Sequence, residues 1–332
     1  MLSTLIISCT SAEEEPNINN SKKTTKCLII TADDFGVSKN INEGIRIAAD
    51  LKAITAISAL TNFSESLMEL KQIADMHPEI GIGVHLNITT GKPALDPQKI
   101  PSLVDPMGNF YTRDELLPRV KDISLKELEL ELRAQITALS NYQIAIDHLS
   151  DHNGILSLYR PFFELIVKLG HELKVPVRNN FISSIKHPEL FPNSKFKKHG
   201  KNIGLKFGLK HPLKALAMLK YSRKSEMEAK VKVMNTNGIS HPDVLIDYFW
   251  GNPTEENYRY IIENLPVGVS ELMLHLGTDT RQVNYCSGLD LNYFENRERE
   301  LKTIISNKVR QFYADKNIKL IGFSEIATFS NN

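Results

Sequence analysis

From position 26 onward, short apolar runs alternate with stretches whose apolar residues recur every three to four positions. The runs at 27–32, 56–60, 80–86, 144–149, 175–178, 244–249, 272–276 and 319–323 predict buried strands. Between them, 40–51, 67–74, 114–120, 125–139, 161–169, 257–264 and 295–305 predict helices; in the first, Ile41, Ile45 and Ala48 share one face. Strands that are apolar along their whole length are covered on both sides, and strand–helix alternation implies a parallel sheet. The series over 26–330 therefore predicts an α/β fold, a TIM-like (β/α) barrel that is complete or incomplete. A doubly wound open sheet is the alternative, but no Gly-rich phosphate fingerprint follows any strand.

Three segments break the pattern. Residues 89–111 form a loop longer than ordinary connections, which suggests a functional segment or a lid. Residues 195–232 carry about a dozen Lys and Arg against Glu226 and Glu228 alone, and predict a helical basic insert within about 190–240. It reads either as a solvated cover, with Leu213, Leu216, Ala217 and Met218 docking, or as a cationic wall for an anionic glycan or membrane surface. Residues 1–25 join an apolar start, MLSTLIISC, to a polar stretch with no periodic face, which reads as a flexible tether. Ser8-Cys9 after an apolar run resembles a bacterial lipoprotein signal, with Cys9 the acylated residue and the cell envelope as location. A frayed extension on a cytoplasmic protein is the other reading.

Composition narrows the function less than the pattern does. With 42% hydrophobic and 24% charged residues, the chain of 332 can build a core. Forty Lys and Arg against 39 Asp and Glu give a net charge of +1, which removes the electrostatic case for a dedicated nucleic-acid partner. Three cysteines exclude a disulfide scaffold and any Cys-rich zinc module. No run of 18 apolar residues is present to span a membrane.

The candidate chemistry lies where strands end. The first strand runs into Asp33-Asp34-Phe35-Gly36, two carboxylates that are catalytic or helix-capping. The third ends at His85, the fourth at His148 to His152 with Ser150 and Asp151 between, and a later one at His275. Any one of these histidines alone reads more readily as a satisfied core residue than as a ligand. Together, at the C-terminal ends of separate barrel strands, they converge on one pocket. A mixed Asp/His/His set with open positions suits a divalent metal that keeps a water, and zinc by ligand type. Amide hydrolysis then needs a base, for which Asp33 beside Asp34 is placed, and an acid, for which His275 is placed. Arg178 holds either the base or the substrate.

The motifs TADDFG (31–36), NEGI (42–45), GVHLNIT (83–89) with Gly91 and Pro93, HLSDHNG (148–154), Arg178 and HLG (275–277) resemble the YdjC-like carbohydrate deacetylase family, which includes chitooligosaccharide and hopanoid-linked N-acetylglucosamine deacetylases. The resemblance runs from about 27 to 323 and makes 26–330 a deacetylase barrel domain. It implies metal-dependent removal of an acetyl group from a small N-acetylated saccharide, with Asp34, His85 and His152 holding the metal, magnesium by family, Asp33 as base and His275 as acid. Ser150, Asp151 and Gly154 depart from the family's usual Asp, Ser and His, and His275-Leu276-Gly277 from its His-Pro-Gly. The ligands alone also suit a metal-dependent phosphoesterase, and the altered 150–154 segment suits a non-catalytic glycan-binding lipoprotein.

Overall fold

Strand β1 (Lys26–Phe35) is buried from Cys27 to its end, as its apolar run demands. In the computed structural model, which describes residues 25–180, 223–247, 253–278 and 291–329 and the single positions 190, 209, 212 and 221, six further strands join it. These are β2 (Ala56–Ala59), β3 (Gly81–Leu86), β4 (Leu149–Asp151), β5 (Val244–Ile246), β6 (Gly268–Leu274) and β7 (Ile318–Leu320). Their order is β4-β3-β2-β1-β6-β5, with β7 beside the first residues of β1, and every pair is parallel. The helices are α1 (Lys39–Asp50), α2 (Leu67–Met76), α3 (Arg113–Leu116), α4 (Leu125–Asn141), α5 (Ile155–Leu158), α6 (Arg160–Leu173), α7 (Lys224–Thr236), α8 (Glu255–Glu263), α9 (Leu291–Ile304), α10 (Asn307–Asp315) and α11 (Ile326–Phe329). None among the described residues is long and apolar enough to cross a membrane.

The sheet curls into an incomplete barrel. Beyond β4 the ladder thins to one bridge, Leu149 with Val177, and one bond from Val177 N to Ser240 O. The expected strand at 175–178 is therefore only a bridge, because Pro176 has no N–H to give a ladder. The strand expected at 144–149 pairs as Leu149–Asp151, led in by bonds from Asp147 N to Ile82 O and from Val84 N to His148 O. The helix expected at 114–120 breaks after Leu116 into a 3-10 turn over Leu117–Arg119, since Pro118 cannot continue it. Most of the expected basic insert lies outside the described residues; its last part is α7. Cys9 lies outside them too.

Period-two alternation sorts the strand residues. Leu28, Ile30, Ala32, Ile57, Ile82, Val84, Leu149, Leu272 and Leu274 join the main core under the helices. The alternate positions fill the barrel in layers. Cys27, Ile29, Ala56 and Val269 close its lower end with Phe323, and burial pushes the Cys27 thiol up to about 11, leaving it inert. Polar Thr31, Ser58, His148 and Glu271, all buried, lie above. The site residues stand on top.

The long loop is not a free lid. Ile100, Leu103, Val104 and Phe110 are buried in the core, and Glu131 on α4 accepts Ala94 N at 2.8 Å and Leu95 N at 3.0 Å.

A buried carboxylate–histidine site between two arginines

Asp33 follows Thr31 into the barrel by alternation, whereas Asp34 should face outward with Ala32. It does not, because Asp34 takes a left-handed φ of 73° and the register against β2 shifts between Ala32 and Phe35. Gly36, at φ 108°, completes the turn; a Cβ there would sit 2.9 Å from Leu60 O. Asn42 of the NEGI motif accepts Gly36 N at 2.8 Å and pins this turn to α1. Ser38, not either aspartate, caps that helix, so the capping reading of Asp33 and Asp34 is excluded. Gly44 of the same motif meets Gly277 of HLG: a Cβ on Gly44 would lie 2.6 Å from Gly277 Cα.

Three ligand-type atoms converge. Asp34 Oδ1 lies 3.0 Å from His152 Nδ1 and 3.6 Å from His85 Nε2, and Asp34, His85 and His152 form a cluster able to hold a metal ion. Asp34 Oδ1 is buried yet makes no properly directed hydrogen bond, which is costly unless a cation completes it. Each ligand is also held by its other polar atom. Arg297 Nη2 donates to Asp34 Oδ2 at 2.5 Å, Ser150 Oγ bonds His85 Nδ1 at 2.8 Å, and Thr90 Oγ1 bonds His152 Nε2 at 3.0 Å. Such backing fixes the ring orientation that a metal requires, so the residues fit a divalent cation.

Asp33 has a different environment. Arg178 grips it with two donors, Nη1 to Oδ2 at 2.6 Å and Nη2 to Oδ1 at 2.8 Å, and is itself anchored by Glu271 through Nε at 2.9 Å. Of the two roles open to Arg178, it contacts the candidate base. Burial opposes ionisation of Asp33 most strongly, but the Arg178 charge and hydrogen bonds together with the neighbouring His85 and His275 overcome it and hold the carboxyl below the usual range. Asp34 is held low against the same penalty, by Arg297 and then His152. Burial brings His85 down to about 3 and His275 to about 4, so both rings are neutral near pH 7. A cavity of about 430 Å³ opens over Asp33, Asp34, His85, His152, Arg178 and His275.

A family model described as YdjC-like protein matches residues 27–315. The chain belongs to the YdjC-like family. Relatives of this YdjC-like chain include a protein named carbohydrate deacetylase from Brevibacillus brevis, 28% identical over 90% of this chain and 99% of its own. Another of that name, from Clostridium beijerinckii, is 25% identical over 90% and 99%. An Enterococcus faecalis crystal structure, titled for cellobiose-phosphate cleavage, superposes with a TM-score of 0.68 at 22% identity, covering 91% of this chain and 99% of the other; it shows a shared fold.

All six YdjC-like site residues expected from the sequence line one cavity. Sequence reasoning missed Arg297 and Glu300, both buried on α9. Glu300 Oε2 accepts His275 N at 2.6 Å, and burial raises its carboxyl to about 8. The available signal was spacing: Arg297 and Glu300 share a face with core residues Leu301 and Ile304.

Proposed function

We propose that the protein is a metal-dependent carbohydrate deacetylase, hydrolysing the N-acetyl group of an N-acetylated sugar or oligosaccharide. The observation that carries this reading is the convergence of Asp34 Oδ1, His85 Nε2 and His152 Nδ1, each backed by a second bond, beside an ionised Asp33. The full-length relatives named carbohydrate deacetylase support the substrate class. When bound, a divalent ion there lowers the pKa of a coordinated water and polarises a carbonyl oxygen.

The protein's own groups do the rest. Arg178 keeps Asp33 ionised and aimed, at the cost of basicity, so Asp33 accepts a proton only from water already acidified. His275, neutral at rest, lies within electrostatic reach of both aspartates. It takes up that proton and delivers it to the departing amine. The Asp/His/His donor set favours zinc by ligand type, and the family resemblance favours magnesium. The envelope location through Cys9 is proposed on the sequence alone.

The test measures metal content and acetate release on N-acetylated chitooligosaccharides, with phosphate esters in parallel. Metal-dependent acetate release is expected, and His85→Ala should lose the metal by elemental analysis. Phosphate release without acetate would refute the deacetylase reading, as would saccharide binding with no turnover.

A further inference from the structure

Below the candidate metal site, the barrel interior holds a continuous line of buried polar side chains. His85 Nδ1 lies 2.8 Å from Ser150 Oγ, Ser150 Oγ 3.0 Å from Ser58 Oγ, and Ser58 Oγ 2.9 Å from His148 Nε2. On its far side His148 Nδ1 lies 3.3 Å from Asp147 Oδ2, and Asp147 Oδ1 accepts Ser324 N at 3.1 Å. His85, Ser58, Ser150 and His148 are each at most 2% exposed, so water cannot substitute for any link among them. The line thus runs from the site at the strands' C-terminal ends to the opposite mouth of the barrel, where Asp147 lines a second cavity.

The fold makes room for this line. Gly81 and Gly83 are the interior positions of β3 facing it. A Cβ on Gly83 would sit 2.4 Å from His148 Nε2, and one on Gly81 would sit 2.1 Å from Asp147 Oδ2. Phe323 stacks beneath the His148 ring at 3.9 Å and 15°. Ser150, one of the departures noted in the sequence, is the link on which both halves meet.

We infer that Asp147, His148, Ser58 and Ser150 form a polarised hydrogen-bond chain that fixes His85 as the Nδ1–H tautomer, presenting the Nε2 lone pair to the metal. They are positioning residues, acting on the ligand through its back edge. The polarity follows from donor and acceptor counting. Burial works against ionisation of Asp147, but its bonds from His148 and Ser324 hold it below the usual carboxylate range, so it only accepts, and His148 must carry its proton on Nδ1. His148 Nε2 then accepts from the Ser58 hydroxyl, Ser58 accepts from Ser150, and Ser150 accepts from His85 Nδ1–H. No proton is left over and no acceptor faces another. Free neutral imidazole in water favours the other tautomer, so the chain selects the form that a metal bound at Nε2 requires.

This inference rests on the metal-site reading, but its first test needs no metal. Nitrogen-15 NMR of the metal-free full chain, with histidines assigned by substitution, should find His85 and His148 both protonated at Nδ1 and bare at Nε2. A His85 protonated at Nε2, or a His148 protonated at both nitrogens, would overturn the chain. The second test measures zinc affinity by competition with a chromophoric chelator. Ser150→Ala and Ser58→Ala should each weaken zinc about 10- to 100-fold, the usual effect of losing a ligand's hydrogen-bond partner. Asp147→Asn should weaken it less. The double variant Ser58→Ala/Asp147→Asn should be no weaker than Ser58→Ala alone, since these side chains communicate only through His148. Additive losses, or affinities within about twofold of wild type, would refute the chain in favour of simple packing. Wild-type protein that binds no zinc or magnesium would instead refute the metal-site reading, with the tautomer result still deciding this one. If the variants do not fold, the wild-type spectrum decides alone.

Discussion

Replacing Asp33 by Asn separates the candidate base from the candidate ligands. Asn keeps the shape of the side chain and one oxygen to accept from Arg178, but carries no charge and cannot take a proton. A general base contributes about 10²- to 10⁴-fold, so kcat should fall by that factor, a barrier change of roughly 3–5 kcal/mol. The structure also bounds the cost in stability. Removing one partner of a buried ion pair costs about 3–5 kcal/mol when the other charge is stranded. Arg178 is not stranded, because Glu271 still accepts from Nε at 2.9 Å and lies 2.7 Å from Nη2. The loss should therefore sit at or below the lower end, about 3 kcal/mol, leaving a folded protein. Asp34, His85 and His152 are untouched, so the metal should stay. The assay is acetate release per bound metal, with metal by elemental analysis and folding by thermal melt. Acetate release within about tenfold of wild type would remove Asp33 from the base role. Loss of the metal would refute the reasoning differently: His85 Nε2 lies 3.7 Å from Asp33 Oδ2, and Asp33 would then be a ligand.

Gly44→Ala drives a Cβ to 2.6 Å from Gly277 Cα, backbone against backbone. It should cost about 1–3 kcal/mol and, by shifting Gly277, lower kcat through His275 without loss of metal; an unchanged melting temperature would contradict the close approach. Glu300, raised to about 8 by burial from an ordinary 4.5, binds its proton more tightly folded than unfolded. Its contribution to stability is full below 4.5 and is lost as pH rises through about 8. Wild type should therefore lose melting temperature from pH 5 to 9 relative to Glu300→Gln, and parallel curves would refute the shift. Cells fed radiolabelled fatty acid should label the wild-type chain and not Cys9→Ala; label absent from the first or present in the second would sink the envelope proposal.

The strands were legible because each is a run of apolar residues with one reading, and the motif residues at their C-terminal ends were legible because a parallel barrel collects strand ends in one place. Legibility failed where local backbone chemistry overrode periodicity. Pro176 reduces a strand to a bridge and Pro118 splits a helix, and both prolines stood in view within runs that apolar count alone made regular. Asp34 is the deeper case. Strand alternation places it outside the barrel, and only a left-handed residue with a register shift brings it in. Such a conformation costs on the order of 1–3 kcal/mol for a non-glycine residue, and persists because Arg297 and the two histidines hold the inverted side chain.

This asymmetry has a physical origin. The candidate ligands must sit at fixed heights on neighbouring strands, so their sequence signal is tight: all three lie between residues 34 and 152. The counter-charges are not so constrained, because any later element whose side chain reaches the pocket can supply one. Arg178 meets Asp33 across 145 residues of chain, and Arg297 meets Asp34 across 263. Two adjacent carboxylates buried without those guanidiniums would be strongly unfavourable. The first half of the barrel therefore cannot form the site as it stands. Its acidic pair becomes tolerable only when the 178 segment and α9 dock, so the site assembles with the last third of the chain in place, and the residues least visible in the sequence are those that permit the visible ones to be there.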